Sequence, residues 1–182
     1  PSSPGEFENY GIFIDERGEI SGEYLKQHPV PFGEYIPFRK YLDWIPPLSL
    51  VPRDMVRGTQ QQVFTTNKDE IKISPVISFE GSFDRYIRRS VVQGAEVVVI
   101  LTNQASYGES GMSDQFILMS RANAISNNRD IAHAAITGKS AFISGIDGDI
   151  YSSTGLFTDA VLTDEIKTSN KLTLYTRWGN YL

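Results

Sequence analysis

Short runs of β-branched and aromatic residues, separated by polar turns, mark the first part of the chain. Residues 10–14 and 20–25 flank the turn-forming sequence Asp-Glu-Arg-Gly at 15–18, so they predict a β-hairpin. Residues 61–66 and 71–79 predict two more strands around a second polar turn. The chain therefore begins with strands rather than helices.

Helical periodicity replaces this pattern in the middle of the chain. Apolar residues recur at helical spacing over residues 82–93, with Ser82 as the expected N-cap. The aliphatic run at 96–101 is typical of a strand buried on both faces, and a second helix is predicted from Ser113 to about residue 128. The predicted inner face of this second helix comprises Phe116, Ile117, Met119, Ser120, Ala124 and Ile125. This order of strand, helix and strand predicts a crossover unit.

The last third of the chain returns to strand-like patterns. Strands are predicted over residues 131–136, 140–146, 150–152, 161–166 and 172–176. Together with the two helices, they predict an α/β fold with mixed sheets.

Residues 29–62 form a long segment without regular periodicity. The segment from Pro29 to Pro52 contains six prolines, those two included, among many aromatic residues, which favours an ordered loop over a long helix or a central strand. The apolar residues of interest in this loop are Tyr41, Trp44, Ile45, Leu48 and Leu50. They either pack on the core or form a lid that faces a membrane, since Trp and Tyr favour the bilayer interface.

Composition excludes several classes of function. The 182 residues carry 17 Lys and Arg against 22 Asp and Glu, and this net charge of −5 argues against a nucleic-acid partner. The absence of cysteine excludes disulfides, thiolate metal sites and a cysteine nucleophile. His28 and His133 have no acidic or histidine neighbour at metal-ligand spacing, so we expect no metal and no cofactor. The first residues have no initiator Met, and we expect the natural polypeptide to extend further.

Three segments carry the candidate chemistry. Residues 24–37 (Tyr-Leu-Lys-Gln-His-Pro-Val-Pro-Phe-Gly-Glu-Tyr-Ile-Pro) place Lys26 at a strand end and Glu34 beside a glycine. Residues 75–80 (Pro-Val-Ile-Ser-Phe-Glu) run from a strand into a helix, and residues 101–108 follow the next strand. Together these segments resemble the nitrilase, or carbon-nitrogen hydrolase, superfamily, and most closely its bacterial membrane branch, the apolipoprotein N-acyltransferases.

The resemblance implies an architecture. It covers about residues 9–182 but only the second half of the family domain, which is a four-layer α-β-β-α sandwich. Residues 1–182 would then be an incomplete nitrilase-like sandwich, with 29–62 as its long aromatic and proline-rich loop. A sandwich cut in half exposes apolar sheet surface, so the missing N-terminal half of the domain is an expected partner.

The resemblance also implies site residues. Lys26 matches the family's charge-stabilising lysine, and Ser78 stands at the position of its cysteine nucleophile. Glu34 matches a further active-site glutamate, and we expect it to hold Lys26 through a charge-assisted hydrogen bond. Glu80 matches the glutamate after the nucleophile and could equally cap the following helix. The family's general base would lie in the absent first half, while Asn103 and Gln115 are expected to be structural.

The implied reaction of the parent enzyme is transfer of an acyl chain from phospholipid to the N-terminal amino group of a lipoprotein, through an acyl-enzyme. It would take place on the extracytoplasmic face of the bacterial cell membrane. A serine hydroxyl ionises far less easily than a thiol, so this chain with Ser78 and no upstream base is expected to be inactive alone. Two alternatives remain open, a soluble amidase and a non-catalytic relative that binds lipid or lipoprotein.

The sequence departs from the family pattern at two places. Residues 123–129 (Asn-Ala-Ile-Ser-Asn-Asn-Arg) keep the Ala and the last Arg of the family's Arg-Ala-x-Glu-x-x-Arg pattern but lose the first Arg and the Glu. Phe79 replaces the usual Tyr beside the nucleophile position. Relaxed constraint on catalysis or a divergent branch would each produce such changes.

Overall fold

The computed structural model describes residues 5–42 and 44–180. The first four residues, which suggested a trimmed end, lie outside this part of the chain. The strands are β1 Glu6–Phe7, β2 Tyr10–Ile14, β3 Ile20–Leu25, β4 Asp54–Met55, β5 Phe64–Thr65, β6 Lys72–Ile77, β7 Val97–Asn103, β8 Ile131–Ile136, β9 Ala141–Ile143 and β10 Ile150–Ser153. The helices are α1 Arg39–Leu42, α2 Asp84–Val92, α3 Met112–Asn127 and α4 Leu174–Trp178. Short 3-10 helices occupy Pro46–Leu50, Ser78–Ser82 and Ala105–Tyr107.

A six-stranded mixed sheet organises the fold, in the order β10-β9-β8-β7-β6-β5. Strands β6, β7 and β8 are parallel, and the outer pairs are antiparallel. The two parallel connections run through α2 and α3, as the crossover pattern predicts. The α/β class with mixed sheets is thus confirmed, and the carboxyl ends of three parallel strands meet at one edge.

The hydrophobic core lies between this sheet and helices α2 and α3. Its fully buried members are aliphatic residues from the central strands and the facing helix sides, including Val76, Val98 and Ile131 from the sheet and Ile87 and Ala124 from the helices. At about 25 cal/mol per Å² of buried apolar surface, this layer supplies the main driving force for folding. It also fixes the strand ends that carry the candidate chemistry.

The predicted hairpin β2–β3 is confirmed and covers part of the other face of the sheet. A Cβ atom on Gly11 would lie 3.3 Å from Leu101 Cδ1, so the two layers approach closely there. This packing brings the end of β3, where Lys26 follows, close to the end of β6, where Ser78 follows.

Several predicted elements differ in the structure. Residues 161–166 form no strand, and Val161 is 94% exposed without a ladder partner. Residues 172–176 were predicted as a strand but contribute to α4, because the Thr173 side chain accepts the Thr176 N–H and caps a helix. Only Phe64–Thr65 of the predicted strand 61–66 pairs with β6.

The helix boundaries and one helix face also need correction. The N-cap of α2 is Phe83 rather than Ser82, and that of α3 is Gly111 rather than Ser113, and neither makes a side-chain cap bond. In α3, Met119 and Ile125 were predicted on the inner face but are exposed. Polar residues that were not predicted there are buried instead. Those buried polar residues are Ser113, Asn123 and Asn127. Their partners lie outside the sheet: the Lys139 N–H donates to Ser113, Asn123 donates to the Gly81 carbonyl, and the Thr176 hydroxyl donates to Asn127.

Candidate active site

Ser78 is the strained first residue of the 3-10 helix that follows β6 directly. Its φ of +53° lies in the left-handed region, which residues other than glycine seldom adopt. Such a conformation costs roughly 1–3 kcal/mol and persists only where the surrounding structure enforces it. The turn leaves Ser78 half-buried at the carboxyl end of a parallel strand, where α/β folds place their reactive groups.

Lys26 and Glu34 form the predicted ion pair. The Lys26 ammonium donates to both Glu34 carboxylate oxygens at 2.7 Å, and Glu34 Oε2 also accepts the Val30 N–H at 2.8 Å. The lysine side chain is 0% exposed, whereas the glutamate side chain is 21% exposed. A buried ammonium is tolerated only when it is paired, so Glu34 fixes both the charge and the position of Lys26.

Glu80 is fully buried and accepts hydrogen bonds from four donors. Its Oε2 accepts the Ile77 N–H at 2.9 Å and the Tyr24 hydroxyl at 2.8 Å. Its Oε1 accepts the backbone N–H groups of His28, at 2.8 Å, and of Gln27. Burial raises the pKa of the Glu80 carboxyl, and the four donors oppose that shift. The bond to Ile77 matches the capping alternative, and the other three connect Glu80 to the end of β3.

A cleft of about 480 Å³ opens at the carboxyl ends of the parallel strands. Ser78 and Glu34 both line it, so the structure brings these two predicted residues together. Neighbouring lining residues are Asn9, Tyr10, Ile77, Leu101, Thr102, Asn103, Ala134, Ala135, Ile136 and Ser140. Glu80 lies behind the cleft rather than in its wall, and Gln115 is exposed on α3. Asn103 lines the cleft while its side-chain oxygen accepts the Ala105 N–H at 3.0 Å.

His28 packs into an aromatic cluster beside the Ser78 turn. Its ring centroid lies 4.7 Å from that of Phe83 and 5.8 Å from those of Phe79 and Tyr86. His28 Nδ1 accepts hydrogen bonds from Tyr86 Oη at 3.0 Å and from the Arg85 guanidinium at 3.2 Å. Burial lowers the pKa of His28, and the nearby arginines add to the shift. The neutral ring thus braces Phe79, the residue after Ser78.

Sequence reasoning missed two residues of this site. Tyr24 is fully buried, and burial together with the Glu80 carboxylate raises the pKa of its phenol, so it remains a hydrogen-bond donor. Its position two residues before Lys26 places both side chains on the same face of the strand, and that spacing was available in the sequence. Gln61 accepts from Gln27 at 2.9 Å and donates to the Pro75 carbonyl at 2.9 Å. No sequence signal distinguishes it from other loop glutamines.

Residues 5–42 and 44–180 contain no group of three or more His, Asp or Glu side chains placed to hold a metal ion. The buried His133 contacts Ser120 and Gln104 instead. Within the same residues, no helix has the length and apolarity needed to cross a bilayer.

Comparison with known proteins identifies sequence relatives of this arrangement. The chain is 33% identical over 172 residues to the apolipoprotein N-acyltransferase of Geobacter metallireducens, covering 94% of this chain and 32% of that protein. It is also 33% identical over 172 residues to the enzyme of the same name from Mycolicibacterium smegmatis, covering 94% and 28%. The chain therefore spans about a third of the length of the curated relatives it matches.

Solved structures share the fold. A mutant amidase from Nesterenkonia sp. AN1, with the acetamide moiety of fluoroacetamide added covalently at its active-site cysteine, superposes with a TM-score of 0.62 at 20% identity. The match covers 86% of this chain and 54% of the amidase, and the nitrilase-like class of the fold is thereby confirmed. The sequence model of the carbon-nitrogen hydrolase family matches residues 2–171. The chain therefore belongs to the carbon-nitrogen hydrolase family.

Proposed function

We propose that this chain is the second half of the nitrilase-like domain of an apolipoprotein N-acyltransferase. The parent enzyme would transfer an acyl chain from phospholipid to the N-terminal amino group of a lipoprotein. The observation that carries this proposal is the cleft in which the strained Ser78 turn meets Glu34, the carboxylate that holds the buried Lys26. The 33% identity to enzymes of that name over most of the chain favours acyl transfer.

The site is suited to an acyl-enzyme mechanism when a thiol stands at position 78. The upstream general base would take the thiol proton, and the thiolate would attack the ester carbonyl of the phospholipid to form a thioester. The ester C–O bond would break, and the proton would pass to the lysophospholipid oxygen. The lipoprotein amine would then attack the thioester, lose its proton to the same base and form the amide as the C–S bond breaks. Lys26 would stabilise the oxyanion of each tetrahedral intermediate, and oxyanion donors are worth roughly 3–4 kcal/mol each. With a serine at this position and the general base expected upstream, we propose that this chain alone does not catalyse the reaction.

The missing N-terminal half of the domain is the proposed partner for the open face of the sheet. Beyond the area covered by β2–β3, residues 5–42 and 44–180 place no further layer over the apolar residues of this face, and Ile136 is 66% exposed beside Leu101 and Ala134 in the cleft. An uncovered apolar sheet face of this kind favours association with a second layer. The partner would complete the four-layer sandwich and supply the general base.

The exposed residues of the aromatic loop support a membrane-facing role. Tyr41 is 71% exposed, Trp44 79% and Leu50 85%, which argues against packing of these three on the core, whereas Ile45 and Leu48 are half-buried. Large exposed side chains of this type, grouped in one loop, favour insertion into the interfacial region of a lipid bilayer. We propose that the loop brings the cleft to its phospholipid donor.

Liposome co-sedimentation tests the membrane contact. The unchanged chain is expected to bind phospholipid vesicles, and Trp44→Ala combined with Leu50→Ala should reduce the bound fraction several-fold because each removes exposed apolar surface that would contact the bilayer. Val161→Ala is the matched control, since Val161 is a 94% exposed aliphatic residue outside the loop. Equal binding by all three proteins would remove the lid from the proposal.

Mass spectrometry of a cysteine variant tests the reaction. The chain carrying Ser78→Cys is combined with the upstream half of the domain and incubated with phospholipid, and an acyl adduct is expected on position 78. Ser140→Cys places a thiol in the same cleft away from the strained turn and should remain unmodified. Without an adduct at position 78, acyl transfer would be refuted.

The same assay separates the alternatives. A soluble amidase would instead release ammonia from small amides with Ser78→Cys and ignore phospholipid. This alternative rests on amidase neighbours that are 20% identical and share the fold. A non-catalytic relative would bind lipid in the unchanged chain and give no adduct even with the thiol present.

A further inference from the structure

The buried carboxylate of Glu80 connects two parts of the fold that each carry one candidate active-site residue. Lys26 follows β3, in the two-stranded hairpin, and Ser78 follows β6, in the six-stranded sheet. Oε1 of Glu80 accepts the N–H groups of Gln27 and His28, directly after Lys26. Its Oε2 accepts the N–H of Ile77, directly before Ser78.

Tyr24 and Gln61 complete the connection. Tyr24 lies two positions before Lys26, on the same face of β3. Its hydroxyl donates a hydrogen bond of 2.8 Å to Glu80 Oε2. Gln61 joins the Gln27 side chain to the Pro75 carbonyl of β6. Both Tyr24 and Glu80 are 0% exposed, so the links are protected from competing water.

No cation pairs with Glu80 among the described residues, and its four donors are three backbone N–H groups and one phenol. The four bonds favour the ionised form of the carboxylate and oppose the rise in pKa that burial causes. An amide nitrogen at this position would face a backbone N–H group, and a buried unmatched donor costs about 1–3 kcal/mol. The geometry thus favours a group whose two oxygens can both accept.

We infer that Glu80 is a positioning residue, supported by Tyr24, which holds the Lys26 ammonium in register with the group at position 78. It does not exchange protons with substrate, because it lies behind the cleft. This inference deepens the proposed function and rests on it for the role of Lys26.

The pKa of a thiol at position 78 provides a readout that does not depend on acyl transfer. In the chain carrying Ser78→Cys, the thiol pKa is measured from the pH dependence of alkylation by iodoacetamide. A nearby Lys26 ammonium should hold this pKa below the free value of about 8.5. Adding Glu80→Gln should raise the thiol pKa by about one unit. Because less thiolate is then present, alkylation at pH 7 should be up to about tenfold slower.

The direction of the shift distinguishes positioning from a direct charge effect. Removal of a nearby negative charge without movement would lower the thiol pKa, whereas loss of Lys26 from its position raises it. In a Lys26→Met background Glu80→Gln should have no further effect, because no ammonium remains to be positioned. A thiol pKa that falls or stays constant with Glu80→Gln, or one that Lys26→Met leaves unchanged, would overturn the inference.

Two further variants guard against trivial loss of structure. Tyr24→Phe removes one donor from the same carboxylate without removing the ring, and should raise the thiol pKa in the same direction with about threefold slower alkylation. Asp130→Asn is the matched control, because Asp130 is a buried carboxylate that accepts from Gly145, Tyr151 and Lys167 at the opposite edge of the sheet. It should destabilise the fold and leave the thiol pKa unchanged, and an equal shift in this control would contradict specific positioning.

The two proposals fail in different ways. If the thiol pKa responds as expected but no phospholipid adduct forms, the positioning role stands and acyl transfer fails. If the adduct forms but Glu80→Gln and Tyr24→Phe leave the thiol pKa unchanged, acyl transfer stands and the positioning role fails.

Discussion

The two edges of the main sheet each bury a cation, and they treat it differently. At the carboxyl edge, the Lys26 ammonium is held by one carboxylate, Glu34, whose other side faces the cleft. At the amino edge, Arg129 is 1% exposed, and its guanidinium donates mainly to backbone carbonyls, those of Ala95, Asn128 and Lys171 at 2.7–2.8 Å. The first arrangement places one member of the ion pair, Glu34, in the wall of the cleft. The second joins Arg129 to distant chain segments at Ala95 and Lys171, besides its neighbour Asn128.

This difference separates the candidate active site from a structural anchor, although both begin from the same rule that a buried cation needs partners. The carboxyl edge also contains the strained Ser78 turn. At the amino edge, the neighbouring Asp130 carboxylate accepts hydrogen bonds from the Gly145 and Lys167 N–H groups and from the Tyr151 hydroxyl. Removal of side chains should therefore reduce stability most at the amino edge and activity most at the carboxyl edge.

The largest expected effect on stability is that of Arg129→Leu. This change leaves the carbonyls of three segments without their donor and should lower the free energy of unfolding by about 3–5 kcal/mol. Urea denaturation followed by circular dichroism measures the loss. Arg177→Leu, at an exposed arginine of α4, is the control and should change stability by less than about 0.5 kcal/mol. A loss below about 1 kcal/mol for Arg129→Leu would show that the amino edge is not an anchor.

The second prediction concerns His133, on the helix-facing side of β8 between the two edges. Burial lowers its pKa from 6.5 to about 4, so the unfolded chain binds more protons between these two values. Its contribution to stability is present above pH 6.5 and is lost as the pH falls toward 4, by about 3 kcal/mol in total. Urea titrations across this range should show the loss, and His133→Gln should reduce the pH dependence by that amount. An unchanged pH profile in the variant would exclude His133 as the source.

The sequence could predict the parallel strand core, because continuous Val and Ile runs separated by a helix have few other solutions. It could also predict that Lys26, Glu34 and Ser78 belong together, through the resemblance to a family. It could not predict that Glu80 contacts the end of β3, because that contact joins residues more than 50 positions apart and depends on how the hairpin packs on the sheet. The helix at residues 174–178 likewise depends on one local hydrogen bond, from the Thr176 N–H to the Thr173 hydroxyl, which hydrophobic periodicity does not reveal.

The third prediction compares the two members of the carboxyl-edge ion pair. Glu34→Gln leaves a fully buried ammonium without a carboxylate and should lower the free energy of unfolding by about 2 kcal/mol. Lys26→Met should cost less, because the remaining Glu34 carboxylate is partly exposed and can be hydrated by the cleft. Chemical denaturation of both variants measures this asymmetry. Equal or reversed losses would mean that burial does not distinguish the two partners.

The smallest expected effect on stability is that of the aromatic loop, where Trp44→Ala should change the free energy of unfolding by less than about 0.5 kcal/mol. The Trp44 side chain is 79% exposed and its indole N–H donates to the nearby Tyr41 carbonyl at 3.0 Å, so its truncation uncovers little core surface. A fall in vesicle binding with unchanged stability would assign this exposed surface to a ligand rather than to the core. A large loss of stability would instead show that Trp44, like Arg129, supports the fold. The loop would then pack on the core rather than act as a lid.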